Sequence, residues 1–205
     1  ERNDPREVLI SKNNNQIRNL KTNSVIGTSS LRREYQLKRI RNDLKYKLIR
    51  GNVDTRIKKL NDDLYDAIIL SYAGLKSLNI DEQISQIFST QEIIPSVGQG
   101  VVALQCRKND KHTLDLLSKI NHKKTSICVN AERYLLKVLE GDCETAVGAF
   151  AYVENDVINL NAELFSIDGK QRFYHHSKKD IMLSKELGLE VGGILKKVSK
   201  DSYKR

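Results

Sequence analysis

From residue 25 to residue 75 the chain switches between two hydrophobic periods. "SVIG" (24–27) is a short apolar run ending in glycine. "LRREYQLKRIRN" (31–42) then sets Leu31, Tyr35, Leu37 and Ile40 at roughly helical spacing, with charge on the opposite face. "KYKLIRG" (45–51) alternates as a strand does and stops at Gly51. "NVDTRIKKLNDDL" (52–64) places Val53, Ile57, Leu60 and Leu64 on a helix stripe, with Asn52 or Asp54 as the N-cap. "YDAIILSYAGL" (65–75) is apolar on both faces, which suits a central parallel strand. Strand, helix, strand, helix, strand in that order predicts an open α/β sheet with right-handed crossovers.

The second half is patterned differently. A glycine-rich connector, "SVGQG" (96–100), follows Pro95 and leads into the strand-like "VVALQC" (101–106). Residues 111–120 read as a short helix. Residues 125–140 form a longer amphipathic helix with Ile127, Ala131, Leu135 and Val138 on one stripe, ended at Gly141. Two strands follow, "AVGAFAYVEN" (146–155) and "VINLNAELFSI" (157–167), joined at Asn155-Asp156. "DGK" (168–170) signals a hairpin to a third strand, "QRFYHHSK". From about 180 to 197 the pattern is a helix interrupted by glycines. This half is predicted to be α+β with an antiparallel sheet, and no internal repeat is evident.

Composition narrows the class. At 205 residues, 39% hydrophobic and 30% charged, the chain is of ordinary soluble globular kind, with room for one sizeable core or two modest ones. No apolar run reaches membrane-spanning length. The start, "ERNDPREVLI", has neither the apolar core of a signal peptide nor the acid-poor look of a transit peptide. A net charge of +9 favours anionic partners: nucleic acid, an acidic membrane surface, or a polycarboxylate or phosphate ligand. With no tryptophan, four phenylalanines and no regularly spaced aromatic platform, nucleic acid is not the expected partner. Cys106, Cys128 and Cys143 cannot pair completely and form no CxxC, which argues against a disulfide framework or zinc site and for a reducing compartment. The adjacent His175 and His176 read as surface residues of a polar strand.

"GTSSLRR" (27–33) puts a glycine and three hydroxyl residues where a strand hands over to a helix, with Arg32 and Arg33 in the first helical turn. The free N–H groups and dipole of a helix start attract an anion, and the hydroxyls add donors. Two cations there oppose the dipole, at about 0.3–1 kcal/mol each, unless an anion joins them. "RGNVDTR" (50–56) repeats the arrangement, with Arg50 at a strand end and Arg56 just inside the next helix. In a parallel sheet both turns lie on one carboxyl edge, where open α/β sheets bind ligands. On pattern alone, two readings stand: solvated bases beside ordinary caps, or a rim that grips a carboxylate- or phosphate-rich ligand with guanidinium forks.

Cys106 in its apolar strand and Cys128 in its amphipathic helix are most simply small core hydrophobes. Cys143 differs, because it falls in a tight loop between Gly141 and the strand "AVGAF". Its acidic neighbours Glu140, Asp142 and Glu144 would raise its pKa, which argues against a protease-like thiolate. An incidental loop thiol and a covalent tether both remain open.

These residues closely resemble the porphobilinogen deaminase (hydroxymethylbilane synthase) family. "NDPRE", "GTSSLRR", "LIRGNVDTR", "YDAIILSYAGL", "IIPSVGQG", "NAERYLLKVLEGDC" and "VGAFA" run in family order from residue 3 to about 151. The resemblance implies three α/β domains, the first two like lobes of a type II periplasmic binding protein. Residues 1–7 would be a linker, 8–98 domain 2, 99–119 the return segment of domain 1, and 120–205 domain 3. It implies a transferase of tetrapyrrole biosynthesis that joins four porphobilinogens, with loss of ammonia, on one dipyrromethane cofactor. Cys143 matches the thioether attachment position. Thr28, Ser29, Ser30, Arg32, Arg33, Arg50 and Arg56 match residues that bind the acetate and propionate carboxylates of cofactor and growing oligopyrrole. Gln99 matches the inter-domain hinge. A soluble monomer of cytoplasm or plastid is implied, without metal, membrane or nucleic acid.

The resemblance also implies a further segment ahead of "NDPRE", with most of domain 1 and the catalytic aspartate. No catalytic residue is therefore expected within this chain, which is expected to act with that segment, as a fragment or one portion of the enzyme. Without it, apolar faces of "VVALQC" should be partly uncovered. Three positions depart from the family pattern. Asp142 stands for a usual glycine, so that a positive φ there would be costly. Ala146 stands for a common proline, and Ser77 for a usual arginine. A non-catalytic anion-binding module would explain the arginine rim but gives Cys143 no role.

Overall fold

The protein, seen in a computed structural model, is described over residues 1–142 and 144–204. Five strands form the first sheet: β1 (Glu7–Ser11), β2 (Val25–Gly27), β3 (Lys45–Lys47), β4 (Ala67–Ser71) and β5 (Gln86–Ile87), in the order β3-β2-β4-β1-β5. β2, β3 and β4 run parallel, and β1 lies antiparallel between β4 and β5. Helix α1 (Leu31–Ile40) links β2 to β3, α2 (Val53–Asn61) links β3 to β4, and α3 (Tyr72–Ser77) follows β4. Side chains alternate across a strand. In β4, Ala67 and Ile69 therefore pack with Leu37 of α1, and Ile68 and Leu70 with Ile57 and Leu60 of α2 and Leu75 of α3. Helices on both faces make three layers, the arrangement that apolarity on both sides of β4 predicts. With α1 and α2 on opposite faces, the connections diverge at β2 and β4, the topology whose strand carboxyl ends serve ligands in open α/β sheets.

The second body is antiparallel. β6 (Val147–Glu154), β7 (Val157–Phe165) and β8 (Arg172–Asp180) lie in chain order, with Ala149 opposite Ala162 and Leu160 opposite Ser177. Helices α5 (Lys123–Leu139) and α6 (Ser184–Ser199) cover one face, where Ala131, Leu135, Leu187, Val191 and Leu195 meet Ala149, Leu160 and Leu164. Helix α4 (Lys111–Ile120) precedes α5. Among the described residues no helix is long and apolar enough to cross a membrane.

Several expectations are revised. The strand in "KYKLIRG" ends at Lys47, and the chain beyond it bends toward Gly51, at φ 120°. The run "YDAIILSYAGL" is a strand only to Ser71; from Tyr72 it is helix, since apolarity on both sides does not distinguish the two over so few residues. "VVALQC" is no strand. No strand edge among the described residues receives it, Val102 and Leu104 are 75% and 59% exposed, and Cys106 is half-buried in irregular chain. The glycines of the last helix do not interrupt it: α6 runs unbroken through Gly188, Gly192 and Gly193. A Cβ on Gly188 would lie 2.8 Å from Tyr134 Cβ, and one on Gly192 would lie 2.9 Å from Val138 Cβ, so these two let α6 close onto α5. Pattern alone does not predict β1 or β5.

Candidate anion-binding site at the sheet edge

The first arginine turn stands at the carboxyl end of β2 as expected, whereas Arg50 lies three residues beyond the end of β3 rather than at it. Gly27 closes β2 with no room for a side chain; a Cβ there would lie 3.0 Å from both Ile68 Cγ2 and Tyr65 Cδ1. Thr28 is buried, and its Oγ1 accepts from the Ser30 N–H at 3.2 Å. Ser30 caps α1, its Oγ accepting from the Arg33 N–H at 3.4 Å, and Ser29 is exposed beside it. In the second turn the cap is Asn52 rather than Asp54, accepting from the Thr55 N–H at 3.0 Å.

The two arginines of α1 take different directions. Arg32 is buried: Nη2 meets Glu7 Oε1 at 2.6 Å and Nη1 donates to the Ile94 carbonyl at 2.8 Å. Arg33 Nη2 lies 2.9 Å from Glu7 Oε2, while its buried Nε has no partner among the described residues. Glu7, the first residue of β1, is thus the internal anion between the pair. Burial pushes its carboxyl pKa up, but the charges of Arg33 and Arg32 outweigh burial and hold it below the ordinary value. Arg56 Nε donates to the Gly51 carbonyl at 2.8 Å. Partial burial and the positive charge of Arg33 both lower the Arg56 pKa. Arg50 is exposed, and no acid among the described residues pairs with its side chain. Arg33 and Arg56 therefore lie near each other on the rim with exposed Ser29 at the turn, while buried Thr28 and Arg32 face inward and Glu7 is shared by Arg32 and Arg33. Glu7 and the carbonyl of Ile94 are functional neighbours that pattern reading misses; the only signal is a charged residue heading the apolar run "EVLI".

A family model described as porphobilinogen deaminase, dipyromethane cofactor binding domain, matches residues 1–115, and the porphobilinogen deaminase C-terminal domain matches residues 126–197. The chain belongs to the porphobilinogen deaminase family. A curated porphobilinogen deaminase of Clostridium acetobutylicum is 41% identical over 192 residues, which cover 94% of this chain and 64% of that relative. The chain thus spans somewhat under two thirds of the relative's length.

Within that family frame, Gln99 lies where two chain segments cross. Its Nε2 donates to the Pro5 carbonyl at 2.6 Å, its own carbonyl accepts from Arg2 Nε at 2.9 Å, and the Asn3 N–H donates to the Gly100 carbonyl at 2.7 Å. Both segments are anchored to α5 by Glu132, which pattern reading also misses. Its buried carboxylate accepts from Arg2 Nη1 at 2.6 Å, the Gly98 N–H at 2.7 Å and the Ala151 N–H at 2.9 Å. Burial raises the Glu132 pKa in spite of those donors, and burial together with Glu132 pushes the Cys128 thiol up to about 11. Cys143 lies outside the described residues. On its N-terminal side the left-handed residue is Glu140, at φ 54°, and not Gly141, the glycine expected to end the helix. Asp142 instead turns its carboxylate onto the N–H groups of Glu144 (2.9 Å) and Thr145 (3.0 Å). Ser77 bonds back to the Ala73 carbonyl of its own helix.

Proposed function

We propose that this chain supplies the carboxylate-binding lobe and the cofactor-bearing domain of a porphobilinogen deaminase. That enzyme is a transferase joining four porphobilinogens head to tail into hydroxymethylbilane with release of ammonia. The observation that carries the reading is the surplus of guanidinium over carboxylate at the α1 start: Arg32 and Arg33 share Glu7, Arg33 and Arg56 repel, and Arg33 Nε is buried with an unused proton. Such a site gains most from a ligand that brings several carboxylates. A dipyrromethane, with an acetate and a propionate on each ring, fits this donor set.

Arg33, Arg50, Arg56 and Ser29 would hold those carboxylates, Ser30 and Thr28 would shape the turn, and Cys143 would give the thioether. When bound, the dipyrromethane supplies the free pyrrole carbon on which the chain is extended. Arginine suits this task because it stays charged throughout and binds in pairs of parallel bonds, orienting each ring as well as neutralising it. Arg32, satisfied by Glu7 and Ile94, acts by fixing the helix start. Gln99 belongs to the crossing that joins this lobe, read as a periplasmic-binding-protein-like domain 2, to the C-terminal domain.

Intact mass under denaturing conditions tests this in a polypeptide of the family's full length. The expected result is added mass at Cys143 with the colour reaction of a pyrrole toward an acidic aldehyde, absent from Cys143→Ser. Arg33→Ala should slow elongation by roughly tenfold or more, the scale of one lost charge-assisted contact. Unmodified Cys143 in wild type, or wild-type turnover in both Arg33→Ala and Arg50→Ala, would sink the reading.

A further inference from the structure

We propose that Tyr35 is a positioning residue that registers the segment following Cys143 against the arginine helix; this rests on the function just proposed. Tyr35 lies on α1, two residues after Arg33, and is buried between the two bodies. Its hydroxyl donates to the Ile167 carbonyl at 2.8 Å, in the loop joining β7 to β8. The tip of that loop is shaped to receive the ring: Gly169 sits at φ 71°, and a Cβ on it would lie 2.5 Å from Tyr35 Cε1. The ring also stands 5.7 Å from Phe165, tilted by 60°. Tyr35 and Phe165 enclose Ala146 in a small cluster separate from both domain cores, with Leu31 packed against it. The Phe165 N–H donates to the Ala146 carbonyl at 3.1 Å, closing the circuit. One helical turn thus carries both the rim residue Arg33 and the ring that locates residue 146, three positions after the proposed attachment cysteine. Tyr35 and Arg33 share one turn of α1, so a shift of the β7–β8 loop relative to Tyr35 is a shift of that segment relative to Arg33.

The test compares Tyr35→Phe, Gly169→Ala, Tyr35→Ala and the double variant Tyr35→Ala/Gly169→Ala in full-length protein. The readouts are the adduct-bearing fraction by mass, the thermal midpoint, and kcat and KM for porphobilinogen per adduct-bearing molecule. Tyr35→Phe keeps the ring and removes one hydrogen bond; the expected result is normal loading and melting, unchanged KM and a kcat lower by about three- to tenfold. Gly169→Ala should lower kcat further in the wild-type background and less in the Tyr35→Ala background, where the ring it strikes is gone and only the strain of a positive φ is left. Equal losses in both backgrounds, or variants that melt earlier while kcat and KM per loaded molecule stay at wild type, would overturn the proposal. Wild type without adduct or turnover would overturn the function itself, whereas an active wild type with indifferent variants overturns only this role for Tyr35.

Discussion

Glu7 shows how a single buried carboxylate can set the chemistry of its neighbours. It stands fully buried among apolar strand residues, yet it is the counter-charge that lets two arginines occupy the same helix start. Because its folded pKa lies below the ordinary glutamate value of 4.5, its contribution is present above pH 4.5 and is lost as pH falls through the folded value. Glu7→Gln keeps the shape and removes the charge. Denaturant unfolding should find it about 1.5–3 kcal/mol less stable than wild type near pH 7, with the gap narrowing below pH 4.5. A constant gap from pH 7 to pH 3 would contradict the ion-pair account. The divergence of Arg32 and Arg33 was not legible in the sequence. Neighbouring helix positions point about 100° apart, and which one turns inward is decided by Glu7 and Ile94, far away along the chain.

At the level of elements, the two close-packed helices of the C-terminal domain separate glycines that serve packing from one that does not. Gly188 and Gly192 face α5, whereas Gly193 has open space around it. Gly188→Ala should therefore cost about 1–3 kcal/mol by overpacking. Gly193→Ala should raise stability by up to about 1 kcal/mol, because alanine loses less backbone entropy in a helix. Thermal melts of both variants decide this, and equal effects of one sign would refute it. The helices themselves were readable: the stripes of Leu37 and Ile40, of Ile57 and Leu60, and of Ala131 and Leu135 each fall in an observed helix. So were the three antiparallel strands and their hairpin at Asp168-Gly169. "VVALQC" departs from the expected strand for a physical reason. An apolar run becomes a strand only beside another strand, and that partner is a property of the fold, not of the run. Glycine departs likewise, since a local rule treats it as a breaker and only the neighbouring helix reveals it as a contact.

For the whole molecule, Arg2 and Glu132 join the two bodies alongside the apolar cluster around Tyr35. Glu132 accepts from both crossing segments and from β6, and the ring of Phe150 lies 5.0 Å beneath the Arg2 guanidinium. Removing Arg2 leaves a buried carboxylate with two backbone donors and no counter-charge. Arg2→Ala is expected to cost about 3–5 kcal/mol near neutral pH. The folded pKa of Glu132 is already raised above 4.5 and would rise further in the variant. The stability of the variant should therefore be best preserved below pH 4.5 and fall as pH climbs through the folded value. Denaturant titrations at several pH values check the direction, and a variant that weakens on acidification would argue against it.

That crossing also has a mechanical reading. Two strands of backbone pass side by side, bonded Asn3 to Gly100 and riveted through one carboxylate to a long helix. Such a joint works like a clamp: two backbone segments and the helix behind them are held to one carboxylate, so none slides without breaking a hydrogen bond. The arginine helix and the β7–β8 tip, which meet at the Tyr35 hydrogen bond to Ile167, make a second point of attachment, and the two fasteners together hold the bodies in one register.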